Sequence, residues 1–299
     1  MFDSSKVFLG IAPIGWCNDD MPELGGENTF RQIVSEMALA GFSGTEIGNK
    51  YPKDPKELKR ELDLRGLRVA SRWFSSFLLD QPYEQVEADF VHELEFLAAV
   101  GARRVNVSEQ SRSIQGQMDT PVLGDRKPVM SEAEWARFTD GLNKLGKVAL
   151  ERGIKLCYHH HMGTVVQSAQ ETDRLMAQTD PKYVFLCYDT GHFTFAGENP
   201  LLMLDKYAGR VGHVHLKDMR PEVVERVKAE GWSFLKAVRE GAFTVPGDGA
   251  VDFDPILEKL SKAKYEGWLL VEAEQDPALA NPLEYAVKAR AYIREHTGL

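Results

Sequence analysis

Four strand-like segments in the second half of the chain begin with apolar residues and end in side chains that can bind a metal ion. These ends are the runs CYHHH at residues 157–161, FLCYD at 185–189, VGHVHLK at 211–217 and LLVEAE at 269–274. Parallel strands that are buried on both faces are apolar over most of their length. In a barrel of such strands, all the C-terminal ends meet at one face. The pattern therefore predicts a parallel barrel whose active face is built from these strand ends.

Strand-like and helix-like segments alternate along the whole chain. Predicted strands cover residues 8–16, 44–48, 67–73, 104–108, 154–159, 184–188, 211–216 and 268–271. Predicted helices cover residues 28–40, 55–65, 83–100, 131–152, 167–178, 201–207 and 281–296, and residues 219–264 are predicted to hold two or three helices and a turn. This alternation predicts an α/β fold of the (β/α)8 TIM-barrel type, as a single domain over residues 1–299.

An open, doubly wound sheet is the alternative to the barrel. That fold normally carries a glycine-rich dinucleotide loop after an early strand. The corresponding stretch here, GIAPIG at residues 10–15, has the wrong residues at the wrong spacing, and the chain has no P-loop. The barrel is therefore the preferred prediction.

Charge and cysteine content limit the class of partner and the compartment. The net charge is −9, from 36 basic and 45 acidic residues, which argues against a nucleic-acid or anionic-membrane surface. The odd, sparse cysteines Cys17, Cys157 and Cys187 indicate reduced thiols. No signal peptide is visible, and no apolar run approaches the roughly 18 residues that span a bilayer. We therefore expect a cytoplasmic protein with a small-molecule partner, and homo-oligomerisation stays open.

Two of the late strands carry candidate ligands at their ends. Asp189, followed by Thr-Gly-His192, can bind a divalent ion or a sugar hydroxyl, although the same residues also suit a turn that caps a helix. His213, His215 and Lys217 share one strand face because side chains repeat every two residues. His215 near the strand end can reach a metal, whereas His213, one layer deeper, is more simply a core histidine. Lys217 could supply charge to an enolate or a proton to a leaving group, or be a solvated rim lysine.

Strands five and eight supply further candidates. Glu272 and Glu274 share a face, and a buried carboxylate is costly unless it is paired, so at least one of them is predicted to bind an ion. His159 and His161 also share a face, while His160 between them should point into the helix layer. Either His159 or His161 could be the fourth ligand or the catalytic base. Such a mixed oxygen and imidazole set suits Mn²⁺, Co²⁺, Mg²⁺ or Zn²⁺.

The earlier strands also end in polar groups. Trp16 and Asn18 follow the first strand, Glu46 and Lys50 lie at the end of the second, and Glu109 ends the fourth. Around a barrel mouth, such groups suit a polyhydroxylated substrate. Each could equally position a loop.

Seven runs of sequence carry a resemblance to known proteins. They are GIAPIGWCNDDMPELGGEN at 10–28, GTEIGNKYP at 44–52, SIQGQMDTP at 113–121, YHHHMGT at 158–164, DTGH at 189–192, HVHLKD at 213–218 and VEAEQDPALANP at 271–282. With them the chain resembles the xylose isomerase-like TIM-barrel superfamily, which includes sugar epimerases and AP endonucleases. Within it, the chain resembles the inosose dehydratase family most closely, over nearly its whole length.

The resemblance implies a metal set of Glu, Asp, His and Glu from strands five to eight. Asp189, His215 and Glu272 match the last three members of this set. The strand-five glutamate is missing, with Cys157 near its place and His159 two residues further on, and we take His159 as the fourth ligand. The resemblance also implies Mn²⁺ or Co²⁺ and a dependence on glutathione, for which the sequence offers no recognisable binding feature.

The activity implied by the resemblance is that of a lyase in myo-inositol catabolism. It removes water from 2-keto-myo-inositol to give a trihydroxycyclohexane-1,2-dione, by metal-assisted abstraction of the α-proton and loss of the β-hydroxyl. The candidate bases are His161, Glu109 and Glu274, and the candidate acids are Lys217 and His192. The alternatives are a ketose or inosose isomerase or epimerase, an AP endonuclease, which the isoelectric point near 5.5 disfavours, and a non-catalytic sugar-binding protein.

Overall fold

Eight parallel strands close into a barrel in the computed structural model, which describes residues 2–299. Numbered in chain order, the strands within those residues are β1 (Val7–Ile11), β2 (Gly44–Ile47), β3 (Arg68–Ser76), β4 (Arg104–Glu109), β5 (Lys155–His159), β6 (Val184–Asp189), β7 (Val211–Leu216), β8 (Asp218–Met219), β9 (Phe243–Thr244) and β10 (Gly267–Val271). The barrel order is β1-β10-β7-β6-β5-β4-β3-β2, and β8 pairs with β9 in a separate antiparallel hairpin. The predicted (β/α)8 barrel is thus confirmed.

Helices follow the strands and form the outer layer. They are α1 (Phe30–Leu39), α2 (Pro55–Asp63), α3 (Tyr83–Ala99), α4 (Glu132–Glu151), α5 (Ala169–Gln178), α6 (Thr190–Phe195), α7 (Pro200–Tyr207), α8 (Pro221–Glu230), α9 (Phe234–Arg239), α10 (Phe253–Lys262) and α11 (Pro282–Thr297). Side-chain caps fix where several of them begin. A capping box begins α4, since Ser131 accepts from the backbone N–H of Glu134 and Glu134 accepts in return from the N–H of Ser131.

The main apolar core lies between the barrel wall and the helices. Ile33, Val34 and Met37 on one face of α1 are fully buried, and so are Phe90 and Leu94 of α3. These two helices thus bury one stripe against the barrel, as the apolar periodicity predicts. Within residues 2–299, the structure contains no helix with the length and apolar content that a membrane crossing requires.

Three local features differ from the sequence prediction. The first strand ends at Ile11 rather than at residue 16, because Pro13 opens a 3-10 turn at Pro13–Gly15. Residues 190–195 form the short helix α6 directly after β6, with Asp189 as its N-cap. The segment 219–264 contains three helices but also β9, whose two residues are too few to show a strand periodicity.

Candidate active site

A cleft of about 310 Å³ opens where the barrel strands end. It is lined by side chains from seven of the eight barrel strands or from the residues that follow them. The lining consists of Ala12, Pro13, Ile14, Asp19, Asp20, Glu46, Ile47, Gly48, Asn49, Arg72, Trp73, Ser75, Asn106, Gln115, His159, His161, His215, Glu272 and Glu274. Polar groups thus converge at the C-terminal face of the barrel, the face that carries the chemistry in enzymes of this architecture.

Four side chains at the strand ends form a cluster that can hold a divalent ion. His159, Asp189, His215 and Glu272 place one ligand atom each within 4.8 Å of all the others. Oδ2 of Asp189 lies 3.3 Å from Nε2 of His159 and 3.3 Å from Nδ1 of His215, and that Nδ1 lies 2.7 Å from Oε2 of Glu272. Nitrogens of His215 and Lys217 lie 2.7 and 3.1 Å from this Glu272 oxygen, but neither contact has the angles of a hydrogen bond, so within residues 2–299 the oxygen has no hydrogen-bond partner. Converging carboxylate and imidazole atoms of this kind fit a divalent metal, and the structure brings together all four residues predicted as ligands.

Electrostatics keep three members of this cluster in the forms that bind a metal. The fourth, His215, is different, because its burial is outweighed by Cys187, Glu272 and Glu46, which raise its pKa well above the usual value, so metal binding would release a proton from this ring. Burial opposes the charge on Asp189, but Lys217 and His192 hold the pKa of its carboxyl well below the usual value. For Glu272, burial is likewise outweighed by His215 and Lys217, and its pKa is lowered to about 2. Burial lowers the pKa of His159, which favours the neutral imidazole. Ionised carboxylates and a neutral imidazole are the ligating species.

Lys217 is a fully buried cation that lies among three carboxylates. Its Nζ lies 3.1 Å from Oε2 of Glu274, 3.1 Å from Oε2 of Glu272 and 3.8 Å from Oδ2 of Asp189. Burial works against the charge, but these carboxylates raise the pKa of Lys217 above its ordinary value. An added Cβ at Gly191 would lie 2.4 Å from Cγ of Lys217, so the glycine of the Asp-Thr-Gly-His run makes room for this side chain. The solvated-rim alternative for Lys217 is therefore wrong.

A second group of titratable side chains adjoins the first. Ligand atoms of His161, His192 and Glu274 lie within 4.8 Å of one another. Nζ of Lys217 bonds to Nε2 of His192 at 3.0 Å and donates to Oε2 of Glu274 at 3.1 Å, so a cation already occupies this group. Burial, opposed by the ammonium of Lys217, raises the pKa of Glu274 to about 7. A carboxyl group titrating near neutrality can both accept and donate a proton.

Glu46, predicted to contact substrate, lines the cleft and also reaches across the barrel to β7. Its Oε1 lies 2.9 Å from Nε2 of His213 and 3.0 Å from Nε2 of His215. Burial disfavours its charge, but His215 and His213 hold the pKa of Glu46 well below the usual value. His213 is fully buried and faces Glu46, as expected for the deeper of the two histidines.

Three other residues predicted to contact substrate do not line the cleft. Trp16 is buried, and its Nε1 donates to the carboxylate of Glu36 at 2.6 Å. Asn18 accepts hydrogen bonds at 2.9 Å from the N–H groups of residues 20 and 21, and Lys50 donates to three backbone carbonyls within residues 25–28. Neighbours of Trp16 and Asn18 in the segment after β1, including Asp19 and Asp20, do line the cleft, but these three side chains bind protein groups instead.

Glu109, a predicted catalytic base, also lies outside the lining of the cleft. Its side chain is fully buried at the end of β4. Oε2 accepts from Oγ of Ser76 at 2.6 Å and from the N–H of Leu78 at 3.0 Å, and Oε1 accepts from the N–H of Ser111 at 3.1 Å. Both oxygens are therefore engaged in holding neighbouring loops, and the structure does not bring Glu109 together with the other predicted catalytic groups.

Cleft residues on β3 were not among those predicted from the sequence. Trp73 lies edge-on to the rings of His159 and His161, with centroid distances of 5.3 and 5.6 Å. Arg72 lines the cleft while its guanidinium bonds to Glu93 at 3.1 Å. The signal was present, because Trp73 and Ser75 alternate onto one face at the end of the strand.

Comparison with known proteins identifies the class. Residues 34–296 match the family described as xylose isomerase-like TIM barrel, and the chain belongs to that family. Two solved structures share its fold: D-psicose 3-epimerase from Clostridium cellulolyticum H10 (TM-score 0.71, 17% identity, covering 97% of this chain and 99% of that one) and the IOLI protein with a bound zinc atom (TM-score 0.72, 14% identity, 98% and 100%). At these identities the likeness shows the fold alone.

Full-length relatives then give the particular family. The chain is 60% identical over 298 residues to the inosose dehydratase of Clostridium beijerinckii, 60% identical over 299 residues to that of Geobacillus thermodenitrificans, and 56% identical to that of Bacillus cereus. Each match covers 100% of both chains. Within the barrel family, the chain therefore belongs with the inosose dehydratases, which confirms the resemblance found in the sequence.

Proposed function

We propose that this protein dehydrates 2-keto-myo-inositol (inosose) to a trihydroxycyclohexane-1,2-dione. The observation that carries the proposal is identity of 56–60% along the full length of proteins named inosose dehydratase. The cleft supports an uncharged polyol ketone as substrate. Five carboxylates and one guanidinium line the cleft, and that guanidinium is itself paired with a glutamate. A phosphate ester or a nucleic acid would be repelled by such a lining.

We further propose that the protein is a metal-dependent hydro-lyase that uses Mn²⁺ or Co²⁺. The residues that would hold the ion are His159, Asp189, His215 and Glu272, which supply two imidazole nitrogens and two carboxylates. When bound, the ion supplies Lewis acidity at the ketone oxygen, which makes the α-hydrogen more acidic. The glutathione requirement implied by the sequence resemblance stays a prediction.

The chain's own proton carriers perform the two transfers that dehydration needs. Among the candidate bases, Glu274 and His161 line the cleft and Glu109 does not, and Glu274 has the pKa nearest to neutrality. In our proposal, the Glu274 carboxylate takes the α-proton and the resulting acid gives a proton to the departing β-hydroxyl. The hydroxyl leaves as water, and the carboxylate is regenerated.

In this proposal, Lys217 is not the acid that protonates the leaving hydroxyl. Three carboxylates stabilise the charge on its ammonium, which donates to Glu274. The pKa of Lys217 is therefore raised, and the ammonium is a poor proton donor to the substrate. A fixed positive charge beside the base stabilises the negative charge that develops on the substrate. His192, which is bonded to Lys217, orients the ammonium.

Product analysis tests the activity. We expect that metal-loaded protein incubated with 2-keto-myo-inositol yields a product that lacks one water molecule and absorbs as an α-dione. Asp189→Asn, which removes one charge from the proposed metal site, serves as the control for contaminating activity. A new ketose with the mass of the substrate would instead support the isomerase alternative and contradict dehydration.

We propose a cytoplasmic setting for this chemistry. The three cysteines, Cys17, Cys157 and Cys187, are buried and unpaired, as suits a reducing compartment. The proposed partner is the small polyol ketone, with neither nucleic acid nor membrane.

A further inference from the structure

Glu46 is a glutamate on β2 whose carboxylate is bonded to side chains of three other strands. Its Oε1 accepts hydrogen bonds from Nε2 of His213 at 2.9 Å, Nε2 of His215 at 3.0 Å and Nδ2 of Asn106 at 2.7 Å, and a fourth from Oγ of Ser71. A charged carboxylate in a barrel core is costly to retain, and the protein holds this one with four donors on a single oxygen. The arrangement points to a function for this group.

The function follows from the two nitrogens of His215. Nε2 faces Glu46, whereas Nδ1 lies 3.3 Å from Oδ2 of Asp189 and 2.7 Å from Oε2 of Glu272, inside the proposed metal cluster. A neutral imidazole carries its proton on one nitrogen only, and the other nitrogen holds the lone pair that can bind a metal. An ionised Glu46 can only accept at Nε2, so when the ring is neutral its lone pair lies on Nδ1, the nitrogen that faces the cluster.

We propose that Glu46 is a positioning residue of the metal site: it fixes the ring orientation and the tautomer of His215 and thereby sets the affinity for the ion. This inference rests on the metal site proposed above but not on the dehydration reaction. Metal-binding histidines commonly donate their second N–H to a carboxylate, and loss of that partner typically weakens metal binding by roughly 10- to 100-fold. Glu46 therefore acts through His215, and not as a ligand itself.

Mn²⁺ titration of the full chain provides the test, with the dissociation constant measured by calorimetry or by competition with a chelator. Glu46→Gln keeps the size of the side chain and removes its charge, and we expect it to weaken Mn²⁺ binding by roughly 10- to 100-fold. Glu109→Gln is the matched control, because Glu109 is also a buried strand-end carboxylate but bonds to Ser76, Leu78 and Ser111 instead of to the cluster. We expect Glu109→Gln to lower stability and leave Mn²⁺ affinity unchanged.

A second readout separates positioning from a merely structural role. The rise in melting temperature on adding Mn²⁺ reports binding independently of turnover, and we expect a smaller rise in Glu46→Gln than in the wild type and in Glu109→Gln. If Glu46→Gln folds poorly, Glu46→Asp takes its place. It keeps the charge but draws the oxygen away from His215, so we expect the same weakening of Mn²⁺ binding.

The outcomes distinguish this inference from the proposed function. Unchanged Mn²⁺ affinity in a folded Glu46 variant overturns the positioning role alone. An equal loss in Glu109→Gln also overturns it, because the effect would then belong to any buried carboxylate. Wild-type protein that takes up no Mn²⁺ overturns the inference together with the metal site, while the dione assay still decides whether the protein is a dehydratase.

Discussion

Replacing Lys217 with methionine removes the cation that three buried carboxylates share. Nζ of Lys217 lies 3.1 Å from Glu272, 3.1 Å from Glu274 and 3.8 Å from Asp189, and the side chain is fully buried. Methionine is unbranched and flexible, so it can follow the path of the lysine stem past Gly191. The substitution therefore tests the charge with little change in packing.

The expected cost in stability follows from this burial. Breaking a buried ion pair by removing one partner costs about 3–5 kcal/mol. Unfolding entropy is about 2.1 cal/mol/K per residue, or about 0.6 kcal/mol/K for this chain. We therefore expect the melting temperature of Lys217→Met to fall by about 5–8 °C.

Calorimetry on the metal-free protein is the appropriate assay, because a bound divalent ion would itself neutralise part of the buried negative charge that the substitution leaves unpaired. Lys262→Met is the matched control. Lys262 pairs with Glu258 at 2.7 Å on the surface of α10 with 68% of its side chain exposed, and such pairs contribute about 0–1 kcal/mol. A Lys217→Met melting temperature no lower than that of Lys262→Met would refute the claim that Lys217 neutralises the buried cluster.

Kinetics of the same variant test its catalytic role. We expect turnover to fall by roughly 10²- to 10³-fold, the usual loss on removing one group that stabilises developing charge, with normal Mn²⁺ content. Because the ammonium stabilises the charge formed on proton removal, exchange of the substrate α-hydrogen in D₂O should fall together with water release. A variant that exchanges this hydrogen normally but releases no water would show that Lys217 is the acid instead.

Three further predictions concern the metal cluster and the segment that follows β1. Chelation should abolish turnover, and Mn²⁺ or Co²⁺ should restore it better than Ca²⁺, because proton removal needs a strong Lewis acid; full activity after metal loss proven by elemental analysis would contradict this. Asp189→Asn should lower both Mn²⁺ content and turnover severely, whereas His213→Gln, which alters only a partner of Glu46, should mainly lower the melting temperature; the reverse pattern would reverse the ligand assignment. Trp16→Phe should lose the hydrogen bond to Glu36, and its free energy of unfolding in denaturant should fall by about 1–3 kcal/mol, without a change in KM. A raised KM would instead indicate that Trp16 contacts the substrate.

Strand parity explains how much of this site the sequence could predict. Side chains two residues apart share a face, so the sequence alone is enough to place His213 with His215, and Glu272 with Glu274, on a common face. The parallel barrel then brings the strand ends to one face. The same reasoning failed for Trp16, because Pro13 ends β1 early and parity has no meaning in the turn that follows.

What parity cannot supply is the partner of each side chain. Glu46 and Glu109 have the same appearance in the sequence, each a glutamate at the end of a predicted strand. In the structure, the Glu46 carboxylate bonds to His215, which is 169 residues away in the sequence. The Glu109 carboxylate accepts hydrogen bonds from the backbone of Leu78 and Ser111 instead. Asn106 of β4 bonds to Glu46 in the lumen, so Glu109, three residues further on, lies on the opposite face of that strand. Which face of a strand lines the lumen is a property of the whole barrel and not of a single strand, and it decides here which carboxylate contacts a metal-binding histidine and which holds a loop.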